Sequence, residues 1–227
     1  MTAEIKPVAW TPCWRIIPSR FPPIDLFERV ADPADLSAVY EIESLTNDRL
    51  RHEVGNLNLI PPEERVSGPG MSVVMAAFTH VNPQGSRFSN GTYGVFYASK
   101  TLTTAVQETR YHREAFMRYT QQPPLELDMR VYNVDLKGAL HDIRPMRMTH
   151  PELYHAEDYA AAQRYALALR KEGSWGILYS SVRHDAGECV AVFRPRILSH
   201  CRQERHLSYV WNGRSIDAVI EKQMLAV

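Results

Sequence analysis

The sequence has few cysteines, no excess of either charge and no long apolar run. Its three cysteines, Cys13, Cys189 and Cys201, form no CxxC pair, so neither a disulfide framework nor a structural zinc site is expected. Basic and acidic residues both number 26, whereas nucleic-acid-binding domains usually carry a basic excess, so direct nucleic-acid binding is not expected. No apolar stretch approaches the about 18 residues of a membrane span, and MTAEIKPVAW lacks the pattern of a secretory signal. We therefore expect a cytoplasmic protein with reduced thiols.

The chain is long enough to bury one sizeable hydrophobic core. It has 227 residues with 44% hydrophobic content, which fits a single domain over 1–227, and we expect an inserted helical and loop segment around 32–80. The periodicities together indicate an α+β fold with a central, mostly antiparallel sheet and surrounding helices. The apolar run MSVVMAAFTHV fits a helix or a strand, and we favour a helix. Helices are thus predicted over about 32–51, 71–81, 101–119 and 158–171, strands near 13–17 and 125–136 and in four segments after 173, and irregular structure over 137–156.

The stretch SRFSNGTYGVFYASKTLTTAVQE combines a predicted hairpin and a predicted helix. The hairpin covers 86–98, with Asn90-Gly91 at its turn because this pair tolerates a positive φ angle. Arg87 would lie near the start of one strand and Tyr97 near the end of the next. Glu108 follows about two turns into the helix. We predict that packing of the helix on the strands brings these three side chains to one cleft.

The same stretch resembles RES domains, a family named for an Arg, a Glu and a Ser. A later block, GILYSSVRHDAGECVAVFRP, is similar to the part of the family that carries the Ser. We place that Ser at Ser181, with Ser180 as the alternative. The early Trp14-Arg15-Ile16 looks like the family's opening, so the resemblance spans about 13–196. The matched positions of the first block are Arg87-Phe88, Gly91, Tyr97-Ala98-Ser99, Ala105 and Glu108.

The resemblance implies an ADP-ribosyltransferase-like fold that uses NAD as a substrate and needs no metal. RES domains cleave the nicotinamide–ribose bond and pass ADP-ribose to phosphate, to water or to a protein target. They are toxins encoded with Xre-type helix-turn-helix antitoxins that bind them and block the site, and homo-oligomers are expected through that complex. Cys189 stands where many relatives carry Asn, and the segment between Asp32 and Gly70 is longer than in compact members. The ADP-ribose acceptor and the antitoxin contact surface therefore stay open.

The residue types fit this chemistry in their own right. Loss of nicotinamide leaves an oxocarbenium-like ribose, as in glycoside hydrolysis, and a carboxylate such as Glu108 stabilises the developing positive charge. A diphosphate is best held by the planar donors of arginine, and Arg87 is the first candidate, with Arg15 as a second clamp. Tyr97 can stack on the nicotinamide side. Ser181 can donate a hydrogen bond to the ring amide or to a phosphate.

Other functions fit the sequence less well. A non-catalytic NAD-binding regulatory or scaffold domain with the same fold is the main alternative. No GxGxxG motif follows a strand, which disfavours hydride transfer. Cys189 and His184 invite a Cys–His nucleophile, but no orienting residue accompanies them, and we expect Cys189 in the core. His112 lies one turn beyond Glu108, where it is either a partner of the site or, slightly favoured, a surface histidine.

Overall fold

The computed structural model describes residues 3–19, 28 and 55–223, which form a seven-stranded sheet and three α-helices. The helix predicted over 32–51 lies outside the described residues. The strands are β1 (Glu4–Pro18), β2 (Phe96–Ser99), β3 (Leu125–Asp142), β4 (Gly176–Ser180), β5 (Glu188–Val192), β6 (Leu198–Trp211) and β7 (Ile216–Lys222). The helices are α1 (Met71–Thr79), α2 (Leu102–Tyr119) and α3 (Ala160–Lys171).

Strand β3 is the centre of the sheet. It pairs antiparallel with β1 on one side and with β6 on the other, and its parallel pairing with β4 is limited to His141 and Asp142. The strand order is β1-β2-β5-β4-β3-β6-β7. Because β1 also bonds to β2 at Trp14 and Ser99, strands β1, β2, β5, β4 and β3 form a closed ring of pairings. The sheet is mostly antiparallel, as the sequence predicts.

Each helix covers its own part of the hydrophobic core. Full burial of a large apolar side chain contributes about 1.5–3 kcal/mol before the entropy of ordering is counted, so these faces fix where the helices lie. In consequence α2 packs on β1 and β2. Among the helices that the structure describes, none is long and apolar enough to cross a membrane. Buried residues are Val74, Met75 and Phe78 in α1, Ala105 and Met117 in α2, and Ala162, Ala166 and Leu169 in α3.

The helix predictions within the described residues are confirmed, while two strand predictions were too short. The apolar run MSVVMAAFTHV forms α1, and the other two predicted helices appear as α2 and α3. The strand predicted near 13–17 is the end of the longer β1, and β3 continues to Asp142, into the region expected to be irregular. Both strands are longer than predicted because the first half of β1 pairs with the last third of β3. Neither half-strand has a strong pattern of its own.

The hairpin predicted over 86–98 was wrong. The Asn90-Gly91 turn forms, with a φ angle of 90° at Gly91, but in this stretch only Ser86 and Ser89 form a bridge. Strand β2 instead pairs with β5 and, at its end, with β1. The arm that holds Arg87 is joined to β2 by a side chain, the Tyr97 hydroxyl, rather than by a ladder of backbone hydrogen bonds.

Candidate functional site

Glu108 is presented to the site by α2. The helix begins after Thr101, whose side-chain oxygen accepts a hydrogen bond from the backbone N–H of Thr104 at 3.2 Å, the usual arrangement of a helix cap. Buried Thr104 and Ala105 hold the first turns of α2 against the sheet. Glu108 is half-buried one turn further on. Its carboxylate therefore points from a fixed helix into the space beside β1 and β2.

Ser181 holds the Glu108 carboxylate. Its side chain is 1% exposed, and its hydroxyl donates to Glu108 Oε1 at 2.6 Å. The same hydroxyl oxygen accepts hydrogen bonds from the backbone N–H groups of Arg183 at 3.1 Å and His184 at 3.0 Å. Because these two donors occupy the oxygen, its single hydrogen is directed at the carboxylate. The structure brings Ser181, and not Ser180, to Glu108, and its hydroxyl hydrogen is engaged by the carboxylate.

The loop that carries Ser181 is fastened to the start of α2. Within the loop, Ser181 N–H donates to the Gly187 carbonyl at 2.7 Å. Across it, His184 Nδ1 lies 2.9 Å from the buried Thr104 hydroxyl. A Cβ atom at Gly187 would come within 2.7 Å of the Thr104 methyl carbon, so only glycine permits this approach. The loop and Glu108 are thus fixed to the same helix. Sequence reasoning missed Thr104, which carries no motif signal of its own.

Arg87 is buried against the chain that follows β3. Its side chain is 9% exposed, and Nη1 donates to the carbonyls of Leu153 at 3.3 Å and His155 at 2.9 Å. Its guanidinium carbon lies 4.6 Å from the centroid of the Tyr159 ring, a cation–π contact. Part of its donor capacity is therefore spent on holding residues 153–159. Its Nε and Nη2 make no hydrogen bond within the described chain.

Tyr97 positions the backbone around Arg87. Its hydroxyl lies 2.8 Å from Ser86 Oγ and accepts a hydrogen bond from Phe88 N–H at 2.9 Å. These two residues flank Arg87, so the phenol fixes the arm that carries the arginine. Burial raises the pKa of Tyr97, which keeps the hydroxyl protonated at neutral pH. The predicted contact with nicotinamide would have to use the ring, because the hydroxyl is already bonded.

Arg15 is a buried cation with unused donors. The pairing of β1 with β2 brings Arg15 Nη1 to the Tyr97 carbonyl at 3.0 Å, and the guanidinium lies 4.6 Å from the Phe96 ring centroid. Burial lowers the pKa of Arg15 to about 10, so it still carries its charge at neutral pH. Its buried Nε has no hydrogen-bond partner, and no carboxylate of the described residues pairs with it. A charge left in this way favours binding of an anion.

One cleft joins these groups. It has a volume of about 760 Å³ and its wall includes Arg15, Arg87, Tyr97 and Glu108, a size in the range of cofactor sites, about 300–1,000 Å³. Ser181 is not in the wall and lies behind Glu108. Four of the five predicted site residues therefore line one cleft, and the fifth supports one of them. The wall also contains Trp14, His112, Tyr159, Tyr179 and Cys189.

Cys189 and His184 do not form a nucleophilic pair. Cys189 is 1% exposed, and its sulfur lies 3.4 Å from Ser99 Oγ. Burial raises the pKa of its thiol to about 12, which opposes formation of the reactive thiolate. His184 is instead bonded through Nδ1 to Thr104. Cys189 points into the core, as expected. Among the described residues, no group of three metal-binding side chains is arranged to hold an ion.

The chain is similar to known proteins in family, in sequence and in fold. The model of the RES domain matches residues 62–212. The uncharacterized protein y4oC of Sinorhizobium fredii is 31% identical over 205 residues, which cover 89% of this chain and 84% of that protein. A chain of the crystal structure of the M. tuberculosis MbcT-MbcA toxin-antitoxin complex aligns with a TM-score of 0.47 and 10% identity, over 92% of this chain and 87% of that chain. On the family match and the identity to this relative, the chain belongs to the RES domain family.

Proposed function

We propose that this protein is an NAD-consuming toxin that breaks the nicotinamide–ribose bond and transfers ADP-ribose to phosphate, water or a protein. The observation that carries the proposal is the carboxylate of Glu108, held by Ser181 at 2.6 Å on the wall of a cleft that also contains Arg15, a buried arginine that pairs with no carboxylate of the described residues. A fixed negative group and an open cation site are what an oxocarbenium-like transition state and a diphosphate require.

In the proposed reaction Glu108 stabilises the positive charge that develops on the ribose. The bond from ribose C1′ to the ring nitrogen breaks, and its electron pair leaves with neutral nicotinamide. An acceptor then supplies the electron pair for the new bond to C1′ and loses a proton. Glu108 Oε1 is engaged by Ser181, so Oε2 is the oxygen that faces a ribose hydroxyl. A carboxylate already held in place needs little reorganisation during the reaction.

Two arginines support binding of the diphosphate. Arg15 contributes Nε and Nη2, since Nη1 is bonded to the Tyr97 carbonyl. Arg87 contributes Nε and Nη2, since its Nη1 is bonded to the carbonyls of Leu153 and His155. Each arginine thus keeps one edge of its planar fork for phosphate oxygens. No metal enters this scheme.

The proposal includes a protein partner. The structural neighbour MbcT forms a complex with the antitoxin MbcA. We propose that this chain also forms a complex with an antitoxin, of the Xre-type helix-turn-helix class. The antitoxin would cover the cleft and join copies of the toxin in one assembly. Release of nicotinamide by the purified chain should stop when such a partner is added in equimolar amount.

The test of the activity is nicotinamide release from NAD, followed by chromatography. Glu108→Gln keeps a side chain that can accept the Ser181 hydrogen bond but removes the charge, and we expect turnover to fall at least about a hundredfold. The control is Glu63→Gln, an exposed residue outside the cleft, with turnover unchanged. Equal turnover in both variants would remove Glu108 from the reaction. NAD binding without nicotinamide release in the unmodified protein would favour the non-catalytic alternative.

The acceptor is decided by the same assay. NAD loss that depends on added phosphate indicates phosphorolysis, and loss in buffer alone indicates hydrolysis. Labelled ADP-ribose that becomes attached to a protein in a cell lysate indicates protein modification. Each result identifies one acceptor and leaves the role of Glu108 unchanged, because all three reactions share the first bond cleavage.

A further inference from the structure

A second cavity adjoins the cleft. It has a volume of about 900 Å³ and lies between α1 and the ends of β1 and β3. Several side chains belong to the walls of both spaces, among them Arg15, Tyr97, Arg113 and Phe116. The two spaces are therefore one continuous depression, and these shared residues mark the junction. The reaction proposed above uses only the half that contains Glu108.

Two arginines, Arg15 and Arg113, line the junction of the two spaces. Arg113 makes no hydrogen bond to any residue that the structure describes, and its guanidinium carbon lies 5.5 Å from the Phe116 ring centroid. Burial lowers its pKa, as it does for Arg15. The Nε atom of Arg15 also lacks a partner. Because both guanidinium groups belong to the shared wall, an anion bound at the junction can accept hydrogen bonds from them.

The wall beyond the junction is apolar on one side and acidic on another. The apolar side consists of the α1 residues Val73, Ala76 and Ala77 together with Val95. The acidic side contains Glu126 and Asp128, which also bond to the Ser208 hydroxyl and the Lys222 ammonium. An apolar surface suits the flat face of a base, and carboxylates are common partners of ribose hydroxyls.

We propose that the α1 cavity holds the nucleoside diphosphate end of the substrate, with Arg113 joining Arg15 and Arg87 on the diphosphate and the nucleoside against α1. The assignment rests on the proposed function for the orientation of the substrate, because the nicotinamide end must reach Glu108. It adds Arg113 to the binding residues, outside the motif that the sequence carries. It also accounts for the size of the depression, which exceeds what a nicotinamide riboside would fill.

Calorimetric titration with ADP and with inorganic diphosphate tests this site without any turnover. Arg113→Met keeps the aliphatic stem and removes the donors, and we expect the Kd of both ligands to rise about tenfold. Arg118→Met is the matched control, because Arg118 is on the same helix, is outside both cavities and is bonded to Glu114. The control should bind both ligands as the unmodified protein does.

A second variant separates the nucleoside from the diphosphate. Ala77→Phe fills the α1 cavity, so it should weaken ADP at least about tenfold while inorganic diphosphate binds as before. Ala218→Phe, at an exposed position of β7, controls for added bulk, and thermal melting checks that each variant is folded. A Kd for ADP that is unchanged in both Arg113→Met and Ala77→Phe would overturn the assignment, even if the protein cleaves NAD. ADP binding with this dependence but no nicotinamide release would keep the site and reject the proposed function.

Discussion

The two halves of the depression differ in how completely their charged groups are hydrogen-bonded. Around Glu108, Ser181 donates to the carboxylate, two backbone N–H groups fill the Ser181 oxygen, and His184 and Thr104 fasten the loop. At the junction, within the described residues, Arg15 Nε has no hydrogen-bond partner and Arg113 makes only a cation–π contact with Phe116. A fully bonded group is fixed in place, whereas an unpaired buried charge is stabilised only when a ligand arrives. We therefore expect changes around Glu108 to affect kcat and changes at the junction to affect KM.

Among the residues that support Glu108 or line the junction, the largest effect is expected for Ser181→Ala. The change removes the hydrogen bond that orients Glu108 and leaves the N–H groups of Arg183 and His184 without their acceptor. We expect kcat for nicotinamide release to fall about 10- to 100-fold and the free energy of unfolding to fall by about 1–3 kcal/mol. Ser180→Ala, one residue earlier at the end of β4, is the control. A kcat that stays within twofold of the unmodified protein would mean that Glu108 needs no support.

Arg15→Met should weaken NAD binding and, at the same time, make the folded protein more stable. Because burial lowers the pKa of Arg15 to about 10, the charged form is less favourable in the folded than in the unfolded chain at pH 7. We expect the free energy of unfolding of the variant, measured in urea, to increase by about 1–3 kcal/mol. We also expect its KM for NAD to rise about tenfold, because a cation that binds phosphate oxygens is lost.

The pH dependence of Arg15 has a definite sign. Between the folded pKa of about 10 and the higher unfolded value, the unfolded chain binds more protons, so this residue's contribution to stability increases as pH rises. The variant should lack that increase. Arg118→Met, an exposed arginine, serves as the control. Lower stability of Arg15→Met at pH 7 would show that its contacts with Tyr97 and Phe96 outweigh the cost of its charge.

Substitutions of His184 should have a smaller effect on the half that contains Glu108. Its Nδ1 atom is the one that contacts Thr104, and the asparagine side chain places a polar atom near Nδ1, whereas glutamine places one near Nε2. We expect His184→Asn to keep kcat within about threefold and His184→Gln to lower it about tenfold, with KM unchanged in both. Hydrogen exchange at the amides of 181–187 should be faster only in the glutamine variant. Equal exchange and kcat in the two variants would exclude a positioning role.

The smallest effect is expected at the thiols. Burial raises the pKa of Cys13, Cys189 and Cys201 to about 12, so at pH 8 almost none of the folded protein carries a thiolate. Treatment with iodoacetamide should leave nicotinamide release unchanged, and mass spectrometry should find no added groups until urea is present. Rapid labelling of Cys189 with loss of activity would restore the Cys–His alternative.

Sequence patterns predicted the elements whose signals are local. The helices α2 and α3 and the central strand follow from periodicity and capping residues over a few turns. The hairpin prediction failed because Tyr97 binds Ser86 and Phe88 through its hydroxyl, a contact that no turn rule includes. The long β1 was underestimated because its first half depends on pairing with the end of β3.

Some residues of the site could be predicted from the sequence, whereas others are recognised only from their contacts in the folded chain. Arg87, Tyr97 and Glu108 were predicted from their spacing together with the resemblance to RES domains, and they do line one cleft. Arg113 and Thr104 carry no comparable signal. Arg113 stands out because it lines both cavities and makes no hydrogen bond to a described residue, and Thr104 because it contacts His184, 80 positions away. Contacts of this range depend on the completed sheet, and periodicity within a segment does not encode them.

The closing of the Ser181 loop by Gly187 also has a consequence for biosynthesis. In a growing chain Glu108 is synthesised more than seventy residues before Ser181, and the Ser181 N–H donates to the carbonyl of Gly187, six residues further on. Ribosome-bound fragments that end before this glycine therefore lack the arrangement around Glu108. Translation must therefore pass Gly187 before the complete arrangement around Glu108 can form.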